Sequence, residues 1–137
     1  MSEQKRVLVI DDDADYLEFV KIILESDGYL VYTAKNADEG LSLARTIHPD
    51  VALVDVMMSY VLDGLSLTQS MRSDPECANI PIMLVSAIIS AESDGLLPPG
   101  QQLECDAFMS KPVNPQDLLL RVAELVDAID DSRSNAG

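Results

Sequence analysis

Cysteine is scarce in this chain. Cys77 and Cys105 are the only two, they stand apart with no CxxC spacing, and no signal peptide points to an oxidising compartment. Both read as free thiols. Cys105 lies between Glu104 and Asp106, whose charges disfavour a thiolate and argue against a reactive or ligand role. Positive charge is scarce too: nine basic residues face 24 acidic ones, a formal net charge of −15. Such a surface repels nucleic-acid phosphates and anionic lipid, which excludes direct nucleic-acid and membrane partners. No long hydrophobic run is present. Met1 to Arg6 is polar and leads into a short apolar run, too short for a secretory core or a membrane span. A soluble cytoplasmic protein is the expectation. The single histidine, His48, precedes Pro49 and is a poor ligand or phosphate donor, so it is assigned no role.

What is present suits one domain. At 137 residues and 47% apolar content the chain can bury a core spanning several elements but leaves no room for a second domain. Val7 to Ile10, Val51 to Val54 and Ile82 to Val85 are apolar runs without polar alternation, as expected of parallel strands covered on both faces. Tyr29 to Tyr32 is a weaker run that reads as an edge strand, and Ala107 to Met109 supplies a short fifth.

Helical periods lie between them. Tyr16, Val20, Ile23 and Leu24 share one face, with Gly28 as a stop. Asn36 caps a second helix with Glu39 three residues on, Leu41, Ala44 and Ile47 form its stripe, and His48-Pro49 ends it. A third helix starts near Asp63-Gly64 and carries Leu67 and Met71. Asn114-Pro115 opens the last, through Leu118, Val122, Leu125 and Ile129, and Asp130 to Gly137 reads as a frayed tail. Strands alternating with helices imply right-handed crossovers and a doubly wound parallel α/β sheet. In open sheets of that kind ligands bind beyond the carboxyl ends of the strands.

The residues at those ends are Asp11, Asp12 and Asp13 after the first strand, Asp55 after the third, Ser86 after the fourth and Lys111 after the fifth. Carboxylates converging there repel one another, by roughly 4 kcal/mol for a unit pair at 4 Å and an effective dielectric of 20. A hard divalent cation with oxygen ligands offsets this, Lys111 adds a fixed positive charge, and Mg2+ in particular tolerates few protein ligands plus a phosphate oxygen. The constellation suits phosphoryl transfer, with Asp55 as nucleophile and Ser86 bonding a phosphoryl oxygen. Each residue also has a plainer reading. Asp13 is better explained as a helix cap. Ser86 alone reads equally as a turn hydroxyl, Lys111 alone as a solvated side chain, Phe108 and Met57 as core. Asp55, following four apolar residues, would be costly to bury without a partner.

In order along the chain stand VLVIDDD at 7–13, DVMM at 55–58, DG at 63–64, LVSA at 84–87 and DAFMSKP at 106–112. With these motifs the sequence resembles the receiver domain of two-component response regulators, of the stand-alone single-domain type, over about residues 5 to 130. The resemblance implies a flavodoxin-like five-stranded sheet of order 2-1-3-4-5, with a receiver domain over 1–130 and a disordered tail over 131–137. It implies that Asp11 and Asp12 position Mg2+, that the Met57 backbone carbonyl and Asp55 complete the protein ligands, and that a histidine kinase or phosphotransfer protein phosphorylates Asp55. Ser86 and Phe108 fall on the family's switch positions. Signalling, within a phosphorelay or a simpler pathway, would pass to a downstream protein partner, the chain acting as a monomer or weak dimer.

Two stretches depart from the family pattern. Ser59 and Asp63 stand where it commonly has proline and glycine, so the loop after Asp55 is one residue longer. Between Ser86 and Lys111 the segment SAIISAESDGLLPPGQQLEC contains Pro98-Pro99-Gly100, which cannot continue a helix, so an atypical fourth-helix region is expected. Met57 and Ile88 are apolar where water-orienting side chains would speed hydrolysis, and slow self-dephosphorylation is expected, with Ile88→Glu accelerating it. Two rival functions remain. Asp11-x-Asp13 resembles the nucleophile and acid pair of haloacid-dehalogenase-type phosphatases, and a receiver-shaped module could bind a protein without ever being phosphorylated.

Overall fold

A computed structural model of the chain describes residues 4–55, 63–86, 107–110 and 113–136. Along them run β1 (Arg6–Ile10), α1 (Ala14–Ser26), β2 (Leu30–Ala34), α2 (Ala37–Ile47), β3 (Val51–Asp55), α3 (Asp63–Ser73), β4 (Ile82–Ser86), β5 (Ala107–Ser110) and α4 (Pro115–Ala136). The strands form one parallel sheet in the order β2-β1-β3-β4-β5, with β2 at an edge.

The apolar runs are continuous because both sheet faces are covered, and successive side chains point opposite ways. Leu8 and Ile10 of β1 enter a core with Ala44 of α2 and Leu67 and Met71 of α3. Val7 and Val9 enter the other, with Leu17, Val20 and Leu24 of α1 and Leu118, Val122 and Val126 of α4. The buried stripe of α1 is Leu17, Val20 and Leu24, with Leu17 in place of Tyr16 and Ile23, which are only partly buried.

Side chains hold the helix starts where expected. Asp13 Oδ1 accepts from the backbone N–H of Asp15 at 3.0 Å and of Tyr16 at 3.3 Å, and Asn36 Oδ1 accepts from that of Glu39 at 2.8 Å. Asn114 Oδ1 does the same for Gln116 at 2.9 Å. Gly28, at φ +92°, takes the left-handed turn that ends α1. His48, also left-handed at φ 48°, closes α2.

Two expectations are corrected. β2 lies one to two residues further along than Tyr29–Tyr32, because Leu30 N–H donates to Lys5 O at 2.9 Å and the ladder then follows β1 from Arg6 to Ile10. The last helix runs on to Ala136, where a frayed tail from Asp130 was expected. Extending a formed helix adds a hydrogen bond per residue and needs no new nucleus, so it outruns the apolar stripe. The atypical region between Ser86 and β5 lies outside the described residues.

Candidate metal and phosphoryl site

The parallel register builds the site. Ile10 pairs with Val54, so the next step along each strand carries Asp11 and Asp55 side by side. Asp11 N–H donates to Ala34 O at 3.0 Å, which fixes the backbone just beyond β1. Asp11 Oδ1 accepts from Asp13 N–H at 2.9 Å, tightening the turn into α1. Asp11 and Asp55 are buried, at 1% and 7% exposure, and Asp12 faces solvent. Carboxylate oxygens of all three lie within 4.8 Å of one another. At that spacing each charge pair costs roughly 3 kcal/mol at an effective dielectric of 20. Three hard oxygen donors, two on a rigid buried floor and one open to solvent, fit a divalent cation.

The other strand ends follow the same rim. Asp55 pairs with Val85, and Ser86 pairs with Ser110, so the backbone of β4 ends beside that of β3, and that of β5 beside β4. Phe108 lies within β5, paired with Leu84. Met57, Ile88 and Lys111 lie outside the described residues. Asp13 belongs to the helix cap, as its plainer reading held. His48 sits at the opposite, amino-terminal rim, where it lines a cleft of about 160 Å³ with Asp50, Glu76 and Asn79.

The sequence presents Tyr16 only as a core residue. Tyr16 packs partly against the α1 side of the sheet, but its phenolic oxygen is shielded from solvent. Burial first, then the charges of Asp11 and Asp55, push its hydroxyl well above the usual tyrosine range. Its spacing in the first turn after an acidic triplet was the available signal.

The family model for the response regulator receiver domain matches residues 7–123. The chain belongs to that family. A solved relative of this receiver domain is the CheY-like receiver protein of Methanospirillum hungatei JF-1. It superposes with a TM-score of 0.82 at 30% identity, covering 95% of this chain and 99% of that one. The DNA-binding transcriptional regulator RpaA of Synechocystis is 33% identical over 125 residues, 91% of this chain and 50% of RpaA. The polar-differentiation response regulator DivK of Brucella ovis is 29% identical over 110 residues, 80% of this chain and 86% of DivK. The receiver domain thus spans about half the length of the transcriptional regulators it matches. None of its described helices is long and apolar enough to cross a membrane.

Proposed function

We propose that this receiver domain is a phosphorylation-dependent switch in which Asp55 accepts a phosphoryl group from a histidine kinase or phosphotransfer protein in a Mg2+-dependent reaction. The convergence of Asp11, Asp12 and Asp55 carboxylate oxygens within 4.8 Å carries the reading. In the reaction an Asp55 carboxylate oxygen forms the new bond to phosphorus while the donor's P–N bond breaks. The electron pair stays on the donor imidazole, which takes a proton from solvent. Asp11 and Asp12, with Asp55 and the Met57 carbonyl, would hold the cation. The bound cation supplies positive charge against the transferred oxygens. Lys111 adds a second positive charge, and Ser86 bonds a phosphoryl oxygen. The new charge and acceptor atoms beside β4 draw on Ser86 and Phe108, turning chemistry into a conformational signal for a downstream protein.

Engagement of Asp13 Oδ1 by two backbone N–H groups of α1 counts against the phosphatase reading, which needs that carboxyl as an acid. The test is to incubate the protein with acetyl phosphate and Mg2+ and compare intact masses. Wild type should gain one phosphoryl group, and Asp55→Asn or added EDTA should abolish the gain. An unmodified wild type would leave the protein-binding module as the better reading. Turnover of a phosphoester that survives Asp55→Asn but not Asp11→Asn would favour the phosphatase.

A further inference from the structure

His48 and Asp50 lead into β3 at the amino-terminal rim of the sheet, and the turn from Glu76 to Pro81 leads into β4 beside them. The cleft of about 160 Å³ lies between these two segments, away from the acidic cluster. Its lining divides by chemistry: Pro49 and Ile80 are buried and apolar, Asp50 and Glu76 are carboxylates, and His48 and Asn79 are exposed and polar. Both walls are held from behind. Arg6 N–H donates to Asp50 Oδ2 at 2.8 Å, and Asp50 N–H returns a bond to Arg6 O at 2.8 Å. Arg72 Nη1 donates to Ala78 O at 3.0 Å and to Ile80 O at 2.7 Å, while Ala52 N–H donates to Pro81 O at 2.9 Å and joins the two walls. No lysine or arginine lines the cleft, and the neighbouring cations are engaged elsewhere, Arg6 through Nη1 with Ile47 O and Arg45 with Asp74.

We propose that this cleft docks an arginine side chain presented by a basic segment of another protein. The apolar floor suits the methylene stem, and the carboxylates of Asp50 and Glu76 with the Asn79 carboxamide oxygen suit the charged head, whose N–H groups donate to them. A guanidinium, unlike an ammonium, is planar and stacks on aromatic faces, and His48 supplies the one aromatic ring of the lining. Charge favours the match at longer range too, since a chain of net charge −15 attracts a basic partner.

Size and charge decide the source of the arginine. The cleft's volume is about half the lower bound of the 300–1,000 Å³ typical of sites that enclose a small-molecule ligand, so it takes one side chain. Free arginine would also bring an α-carboxylate, for which the lining has no cation. The docking is independent of the phosphoryl site: Asp50 and Asp55 stand five residues apart, about 16 Å along an extended strand. A partner held at this rim therefore stays bound in either state of Asp55, and the inference does not rest on the reading of Asp55 as phosphoacceptor.

The test titrates 15N-labelled protein with acetyl-Gly-Arg-Gly-amide, and with the same peptide carrying lysine or glutamate in place of arginine, and follows amide shifts by NMR. The arginine peptide should give saturable shifts at His48, Asp50, Glu76 and the Asn79 side-chain amide. The lysine peptide should bind more weakly and the glutamate peptide should give no shift there. Glu76→Gln, at an exposed side chain, should weaken binding about two- to fivefold, and Glu76→Lys should abolish it. His48→Asn, which tolerates the left-handed backbone at that position, should remove the preference for arginine over lysine. Asp55→Asn should bind the arginine peptide as wild type does. The proposal is overturned by no saturable shift at the cleft, by shifts at Asp11 and Asp12 instead, by unchanged binding in Glu76→Lys, or by equal binding of the lysine and arginine peptides to wild type. Tighter binding of free L-arginine than of the peptide also overturns it and makes the cleft a small-molecule site.

Discussion

Gly40 of α2 rests directly on Ile10, the residue before Asp11: a Cβ at position 40 would lie 2.6 Å from Ile10 Cδ1. The helix can approach the sheet this closely only because no side chain stands between them. Ile10 is fully buried and β-branched at its base, so it has little room to yield. Gly40→Ala should therefore lower stability by about 1 kcal/mol, an overpacking cost of roughly 1–3 kcal/mol exceeding the gain in helix propensity. Urea unfolding measures it, and Ile10→Val, which removes the crowded methyl, should make the double variant lose less than the two single losses added.

Asp13 is a cap and lies next to the site without belonging to the acidic cluster. Asp13→Ala leaves two backbone N–H groups of α1 without their side-chain acceptor and should cost about 1 kcal/mol. Asp13→Asn should recover most of that loss in the same unfolding measurement.

Asp11 lies buried among like charges yet accepts the N–H of Asp13, a bond an asparagine oxygen can also accept. In EDTA, Asp11→Asn should raise stability by about 1 kcal/mol through relief of repulsion. Adding Mg2+ should raise the unfolding midpoint of wild type, since a ligand of the native state stabilises it, and should not raise that of the variant. A variant that still responds to Mg2+ as wild type does would remove Asp11 from the ligand set.

Asp74, just after α3, accepts the backbone N–H of Glu76 at 2.9 Å and pairs with Arg45 of α2. The Glu76 hydrogen bond first, then the guanidinium, holds its carboxyl below the usual aspartate range. The fold thus favours the ionised form. The resulting stabilisation is complete above the ordinary aspartate pKa and disappears as pH falls through the lowered one. Asp74→Asn should be less stable than wild type at neutral pH, with the difference narrowing in acid. Unfolding curves at neutral and at acidic pH check the sign.

Much of this architecture was legible along the chain. Unbroken apolar runs such as Val51 to Val54 announced strands covered on both faces, and Asn36 with Glu39 announced a helix start, because local periodicity and capping chemistry depend on near neighbours. The carboxylates of the site were legible as well, since parallel strands place their carboxyl ends on one rim.

Sequence alone determined the order of elements, the strand-end acids and the capping role of Asp13, all consequences of periodicity and short-range bonding. Tertiary structure decided the rest. The ladder set β2 against β1 and shifted its ends, and the docking of α1 on the sheet buried Leu17 more fully than Ile23. Register between β1 and β3 brought Asp11 within reach of Asp55, and packing of α1 on the sheet buried the Tyr16 hydroxyl. Distances between residues far apart in the chain follow from how elements dock, and no local pattern encodes them.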